Sequence, residues 1–365
     1  MPTEIRDTVI DADAHVIENE HTWDYLDPAD RKYRPTLVSP SDPSDQRQYW
    51  VIDGRIAGLR FPTLTERQLT EAGRVAGKNL TTPQGAREVG DVGLRLQHMD
   101  ELGIDIQVLH HTLFIQQVAT RPEVDIAITG AWNRWMAGVW QAGGGRLLWS
   151  AVAPLLSIPD ALDQMRYAKQ HGAVALCMRP LEGDRLLVDP YFYPVYQEAE
   201  RLDMPIAIHI ANGSPSYSAV TRSPYDPGNA FATFRAPTVM ACHSLMVSDF
   251  YERFPKLRWG FIETAGQWAP WVLQEAASRL RGWGRRLPDD PLDAFHMWIT
   301  VQTDDDINYL VQRCGDRHFM IGTDYGHTDP SSNIDAIKEF LAMPEISDDL
   351  KRRIVHDNPK AFYGL

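Results

Sequence analysis

Asp13, His15, His209 and Asp324 are the residues of this chain best suited to hold a reactive cation. In Val9-Ile-Asp-Ala-Asp-Ala-His15, a strand would place Asp11, Asp13 and His15 on one face, so that Asp13 and His15 converge on one point. Pro205-Ile-Ala-Ile-His209 is a short apolar run ending in an imidazole, and Phe319-Met-Ile-Gly-Thr-Asp324 is one ending in a carboxylate. Taken singly, each has a structural explanation. Asp-x-His is a weak motif, a strand-end histidine fits a hydrogen-bonded core, and an aspartate fits a turn or a helix cap. Their coincidence at separate strand ends points to one divalent ion with mixed imidazole and carboxylate ligands. Zn²⁺ is the first candidate, and the two carboxylates also suit Mn²⁺ or Fe²⁺.

Such a site needs a scaffold that brings distant strand ends together. Short runs rich in Val, Ile and aromatics alternate with longer helical patterns, which predicts a parallel sheet with crossover helices. The runs lie near Val9 to Ala12, Ile104 to His110, Leu147 to Val152, Ala173 to Met178, Ile206 to Ile210, Trp259 to Ile262, Trp298 to Gln302 and Phe319 to Gly322. Amphipathic stretches at Val124 to Gln141, Pro159 to Gln170, Pro190 to Leu202, Thr233 to Phe254 and Ala269 to Arg281 separate them. This alternation predicts a closed (β/α)₈ TIM barrel, α/β in class, formed by residues 1–365 as one domain. The surplus residues, about 20–95, form a large insertion after the first strand. There Asp53-Gly54 marks a tight hairpin within Tyr49 to Ala57, and Pro40 to Asp45 marks a loop. An insertion at that point emerges on the catalytic face of a barrel and would act as a partial lid.

Composition narrows the functional classes. With 365 residues and 44% hydrophobic content the chain can bury a full core. A formal charge of −13 with no basic block excludes nucleic acid and anionic membranes as natural partners, leaving a small-molecule substrate. Cys177, Cys242 and Cys314 are scattered and odd in number, which predicts reduced thiols and a cytoplasmic location. Residues Met1 to Thr8, with Glu4, Arg6 and Asp7, do not resemble a leader, and no apolar run is long enough to span a membrane.

Several segments together resemble a known family: Ile10-Asp-Ala-Asp-Ala-His15, Met99 to Val108, Pro190 to His209, Phe254-Pro-Lys-Leu-Arg258, Gly322-Thr-Asp-Tyr-Gly-His327 and Asn358 to Leu365. The chain resembles the amidohydrolase superfamily, in the branch of aminocarboxymuconate-semialdehyde decarboxylase, γ-resorcylate decarboxylase and related metal-dependent hydrolases. The resemblance implies that Asp13 and His15 are the first-strand ligands, His209 the fifth-strand ligand and Asp324 the eighth-strand carboxylate. No lysine ends the fourth run, so a mononuclear site is implied, and the branch commonly forms homodimers. Members often carry a proton-transferring histidine at the end of the sixth strand; here Glu263 stands there, in Phe261-Ile-Glu-Thr-Ala265. Glu263 is then a general acid or base, an added ligand, or a carboxylate orienting His209. His327 occupies a place where related hydrolases often have a histidine, for proton transfer or substrate binding, unless it caps the helix near Ser331.

Further candidates follow from position alone. Arg179, just past the fourth run, could grip a substrate carboxylate or pair with a neighbouring loop. Trp268 lies close enough to Glu263 to line a substrate pocket. Glu18 could support the site from just beyond the first strand. His110 and His111 alternate, so at most one should face the barrel interior, and His243 reads as a packing residue of a helix. Trp132, Trp135 and Trp140 have the spacing of a core or interface. Two reactions share the site. In hydrolysis the ion activates water, with Asp324 taking its proton; in non-oxidative decarboxylation an acid, Glu263 or His327, protonates the carbon that loses CO₂. Hydrolysis of a small carboxylate-bearing or aromatic compound is the preferred expectation. Carboxy-lyase chemistry is the alternative, and a catalytically silent metal-binding or assembly protein the reading from another class.

Overall fold

The computed structural model describes residues 7–42, 44–45, 47–60, 64–221 and 231–365. Met1 to Arg6, part of the segment read above as lacking a leader, and Pro43, within the loop at Pro40 to Asp45, lie outside the described residues.

Eight strands form one parallel sheet in which neighbours in sequence are neighbours in space. They are β1 (Ile10–His15), β2 (Ile106–His110), β3 (Leu147–Ala151), β4 (Ala173–Met178), β5 (Ile206–His209), β6 (Trp259–Ile262), β7 (Met297–Val301) and β8 (Phe319–Ile321). The edges meet. Ala14 bridges Tyr325 in parallel, the His15 amide donates to the Tyr325 carbonyl at 2.9 Å, and the Asp324 amide donates to the Asp13 carbonyl at 2.8 Å. The result is a (β/α)₈ barrel. All five residues of β3 are buried, as expected of strands covered on both faces. Helices such as Pro122–Ala142, Ile158–Gln170 and Ala269–Gly282 supply the outer layer.

The barrel interior is filled by Ala12, Val108, Leu148, Ala175, Ala207, Ile262, Trp298 and Met320, closed from below by Phe362 and Tyr363 of the final helix. Small residues on several strands make room for the aromatics. At Gly260 a Cβ would stand 2.3 Å from the Phe362 ring. Gly322 plays the same part at the seam, where a Cβ would lie 2.3 Å from that of Asp13. The Tyr363 hydroxyl donates to the Ala12 carbonyl at 2.7 Å, tying the C-terminal helix to β1.

The insertion is more structured than its composition suggested. It contains an antiparallel sheet of Thr36–Val38, Gln48–Ile52 and Arg55–Arg60, and helices Glu66–Ala76 and Gln84–Arg87. The hairpin turns at Asp53 and Gly54, with φ of 54° and 71°. The helix Glu66–Ala76 starts on a capping box of Thr65 and Gln68 and stops at left-handed Gly77. Its hairpin strand leans on the loop after β2, where the Gln116 side chain donates to the Ala57 carbonyl. A hollow of about 370 Å³ lies between Tyr49, Ile56 and Leu59 on the insertion and Thr112, Leu113 and Ile115 on the barrel.

The amphipathic stretch at Thr233 to Phe254 is not one helix. It comprises a wide turn Phe231–Arg235, the helix Ala236–Val247 and a short helix Phe250–Arg253. Ser248 interrupts it with extended backbone, its hydroxyl accepting from the Phe250 amide at 3.3 Å.

Candidate metal centre

β1 ends in Asp13 and His15, β5 in His209, and the chain just beyond β6 and β8 carries Glu263 and Asp324. All five side chains are buried. His15 Nε2 lies 3.5 Å from Asp13 Oδ1, 3.4 Å from Glu263 Oε2 and 3.4 Å from Asp324 Oδ1. His209 Nε2 lies 3.5 Å from Asp13 Oδ1 and 3.4 Å from Glu263 Oε2. Two overlapping ligand groups result, Asp13, His15, His209 and Glu263, and His15, Glu263, Asp324 and His327.

The tautomers show what this cluster is built around. His15 Nδ1 donates to the His111 carbonyl at 2.9 Å, and His209 Nδ1 to the Ile210 carbonyl at 3.3 Å. A carbonyl only accepts, so in the neutral rings that metal ligation requires both Nε2 atoms carry lone pairs, and these face each other across 3.1 Å. Two lone pairs at that distance repel unless a cation sits between them. Asp13 Oδ1 is likewise buried without a hydrogen-bond partner among the described residues. Spacings of 3.1 to 3.5 Å match the edges of a coordination shell with bonds of about 2.1 Å. The residues therefore fit a single divalent ion.

The electrostatics agree. Burial drives the Glu263 carboxyl well above the usual carboxylate range, reinforced by the charges of Asp324, Asp329 and Asp13. Asp324 is raised by burial and then by Asp329 and Asp13. Burial also opposes ionisation of Asp13, yet His15 and His209 hold its carboxyl well below the usual range. Desolvation keeps the His15 imidazole neutral, as a ligand must be.

Other residues fix this arrangement. Ser331 Oγ donates to Glu263 Oε1 at 3.0 Å and Ser332 Oγ to Asp324 Oδ2 at 2.6 Å, so each carboxylate keeps one oxygen for the centre. The Glu263 amide donates to Thr300 Oγ1 at 2.7 Å. Glu263 and Asp324 have φ of 63° and 50°, a strained region for side chains other than glycine, as found where strand ends are bent to aim a functional group. His327 Nδ1 stands 2.7 Å from Asp324 Oδ1, and His327 Nε2 is 2.8 Å from Thr112 Oγ1. His327 thus joins the centre rather than capping the helix near Ser331. The Glu18 carboxylate receives the Thr112 and Leu113 amides and the Trp132 indole, fixing the loop that carries Thr112.

Arg179 and Trp268 lie differently. Arg179 Nε pairs with Glu182 Oε2 at 2.9 Å, and its Nη1 donates to the Phe114 and Gln116 carbonyls, so its fork is occupied by the protein. The ion pair between residues three apart is the local alternative, and it takes the donors a substrate carboxylate would need. Trp268 donates to the Thr264 carbonyl and lines an apolar hollow of about 610 Å³ whose lining contains none of the cluster's side chains. His243, on the helix Ala236–Val247, faces this same hollow and is partly exposed rather than packed in the core. His110 and His111 are both buried: His110 bonds Ser150 within the barrel, while His111 packs on Phe114 and Trp132. Trp132 and Trp135 are core residues, and Trp140 packs against that core.

The profile of the family described as Amidohydrolase matches residues 10–365. The chain belongs to the amidohydrolase family. It is accordingly an enzyme of that superfamily, which works as hydrolases or carboxy-lyases and binds divalent metal. Over 296 residues it is 22% identical to 2-amino-3-carboxymuconate-6-semialdehyde decarboxylase of Dictyostelium discoideum, covering 75% of this chain and 77% of that protein. An amidohydrolase from Mycobacterium avium subsp. paratuberculosis K-10 superposes with a TM-score of 0.78 at 19% identity, covering 99% of both chains. The 5-carboxyvanillate decarboxylase of Sphingomonas paucimobilis gives a TM-score of 0.68 at 17% identity, covering 99% of this chain and 100% of that one. No helix of the described residues is long and apolar enough to cross a membrane.

Proposed function

We propose that this protein is a metal-dependent hydrolase of a small carboxylate-bearing or aromatic compound, with Asp13, His15, His209 and Asp324 holding one divalent ion. The observation that carries the proposal is the pair of imidazole lone pairs facing each other across 3.1 Å, ringed by carboxylates. Zn²⁺ is the proposed ion, and the carboxylate-rich set also suits Mn²⁺ and Fe²⁺. When bound, the ion supplies a Lewis acid that polarises a carbonyl and acidifies water. Glu263 presents Oε2 to the centre while Ser331 holds its other oxygen, which suits it to take a proton from the attacking water and return it to the leaving group. Asp324 is the second candidate base, and His327, between Asp324 and Thr112, the proton carrier behind it. Trp268 braces the Glu263 segment through Thr264, and Arg179 shapes the wall beyond β4.

One observation favours a second reading. A buried acid held towards its protonated form could equally deliver a proton to the carbon of a leaving carboxylate, and two of the similar proteins are decarboxylases. We further propose that residues 1–365 act as one catalytic domain with the insertion as a partial lid, that the enzyme is a homodimer, and that it works in the cytoplasm, where its three buried free cysteines stay reduced.

Glu263→Gln should lower kcat by about 10²-fold or more while elemental analysis still finds one metal per chain. Wild-type turnover in that variant would remove Glu263 from the chemistry. A panel of hydroxylated aromatic acids, enoic acids, lactones and amides, assayed for CO₂ release and for water addition, separates the two reactions. CO₂ release from any of them would overturn hydrolysis in favour of the second reading.

A further inference from the structure

Beside the strand end that carries His15 lies a fully buried guanidinium. Arg95 sits in the helix Val92–Leu102 that leads into β2, at a position that on its own helix looks like any other. Its Nη1 donates to the carbonyl of His15, at 3.2 Å, and to that of Ala86, also at 3.2 Å. Its Nε donates to Gln107 Oε1 at 2.7 Å, and Gln107 Nε2 passes the contact to Asp11 Oδ2 at 2.8 Å. Asp11 in turn receives the Thr323 hydroxyl at 2.6 Å, the Thr323 amide at 2.9 Å and the Asp13 amide at 3.3 Å. The guanidinium carbon stands 3.6 Å from the centroid of the Tyr325 ring, and Nη2 has no hydrogen-bond partner among the described residues. The Tyr325 hydroxyl is fixed by His98 at 2.7 Å.

Each of these contacts ends beside a ligand. His15 is itself in the cluster, Tyr325 follows Asp324, Thr323 precedes it, and Asp11 lies two residues before Asp13; contrary to the shared face expected of a regular strand, the pairing of β1 slips between Asp11 and Ala14, so that Asp11 meets Gln107 while Asp13 turns to the centre. Arg95 therefore touches both staves that close the barrel and deliver three of the cluster's groups.

We propose that Arg95 is the positioning residue of the metal centre: it sets the separation of the β1 and β8 ends through His15, Tyr325 and the Gln107–Asp11–Thr323 chain. The inference rests on the metal reading of the site. Outer partners of metal ligands typically change affinity by about 10- to 100-fold when removed.

The test is titration of metal-stripped full-length protein with Zn²⁺ against a chromophoric chelator, alongside the visible spectrum of the Co²⁺-loaded protein. Arg95→Met should raise the Zn²⁺ Kd about tenfold or more and alter the Co²⁺ bands. Merely structural damage would lower the melting temperature but leave the Co²⁺ spectrum of the folded fraction unchanged. Where Arg95→Met does not fold, Arg95→Lys keeps a charge near the ring and loses the fork, and Gln107→Met cuts the link to Asp11. Each should raise Kd about threefold or more and shift the Co²⁺ bands. Wild-type Kd and spectrum in folded Arg95→Met, or in both milder variants, would overturn the proposal. Failure of the wild-type protein to bind any divalent ion would instead overturn the metal reading, and this inference with it.

Discussion

At the scale of single residues, the chain concentrates buried carboxyl groups well beyond the metal cluster, and this has a consequence for pH. Asp125, half-buried on the helix Pro122–Ala142, is pushed up to about 7, chiefly by desolvation, with partial relief from Arg179 and the Leu156 amide. A carboxyl whose pKa is raised on folding binds its proton more tightly in the folded state. Its contribution is complete below pH about 4, the unfolded value, and is lost as pH climbs towards 7, a change on the order of 4 kcal/mol. Asp125→Asn mimics the protonated form, so the variant should gain melting temperature relative to the parent between pH 5 and pH 8. A difference that stays flat across that range would refute the assignment. Legibility at this scale was uneven. Asp13, His15, His209 and Asp324 could be read because a ligand at a strand end interrupts an apolar run. Ser331, Ser332 and Thr112 could not, since single hydroxyls in loops leave no periodic trace, and Arg95 was hidden because burial of a helical arginine depends on what packs over it. For Arg179 the sequence left a substrate carboxylate and an ion pair open, and Glu182, three residues on, was the local partner in plain view.

At the scale of elements, the site depends on how closely β1 and β8 approach. Gly322 permits this, because any side chain there would collide with Asp13. Gly322→Ala should therefore cost about 1–3 kcal/mol of stability as overpacking, and weaken metal binding by moving Asp13. Paired thermal melts and metal titrations would check it; a variant with parental values in both would show that the seam yields freely. The barrel strands were visible because strands covered on both faces read as short apolar runs. The insertion was not, apart from its hairpin, because its helix Glu66–Ala76 is mostly exposed, burying only Leu69 and Gly73, and has no short apolar run of the kind that marked the barrel strands. Its Thr65 and Gln68 cap and its Gly77 stop were the usable signals. The interruption at Ser248 escaped notice for the opposite reason, since apolar residues continue on both sides of it.

At the scale of the molecule, the floor of the barrel is made by the last turn of the chain. Phe362 is buried against Trp298 and over Gly260, and removing its ring would open a cavity beneath the site. Phe362→Ala should cost about 3–5 kcal/mol, read by urea denaturation, with the ligand residues left in place. A loss below 1 kcal/mol would mean that the floor is not part of the cooperative unit. The barrel class could be inferred from eight alternating units, whereas the plug could not, because nothing in the final helix says which face of the molecule it will cover.

The bond between Tyr363 and Ala12 joins residues 351 positions apart, and β1 pairs with the segment following β8. A nascent chain emerging from the ribosome can assemble the middle of this protein early. It cannot seal the cylinder until β8 and the helix carrying Tyr363 have emerged, so closure is a long-range and therefore slow event. Cation capture, which requires both ends of the sheet, is consequently expected to follow the pairing of β1 with the segment after β8.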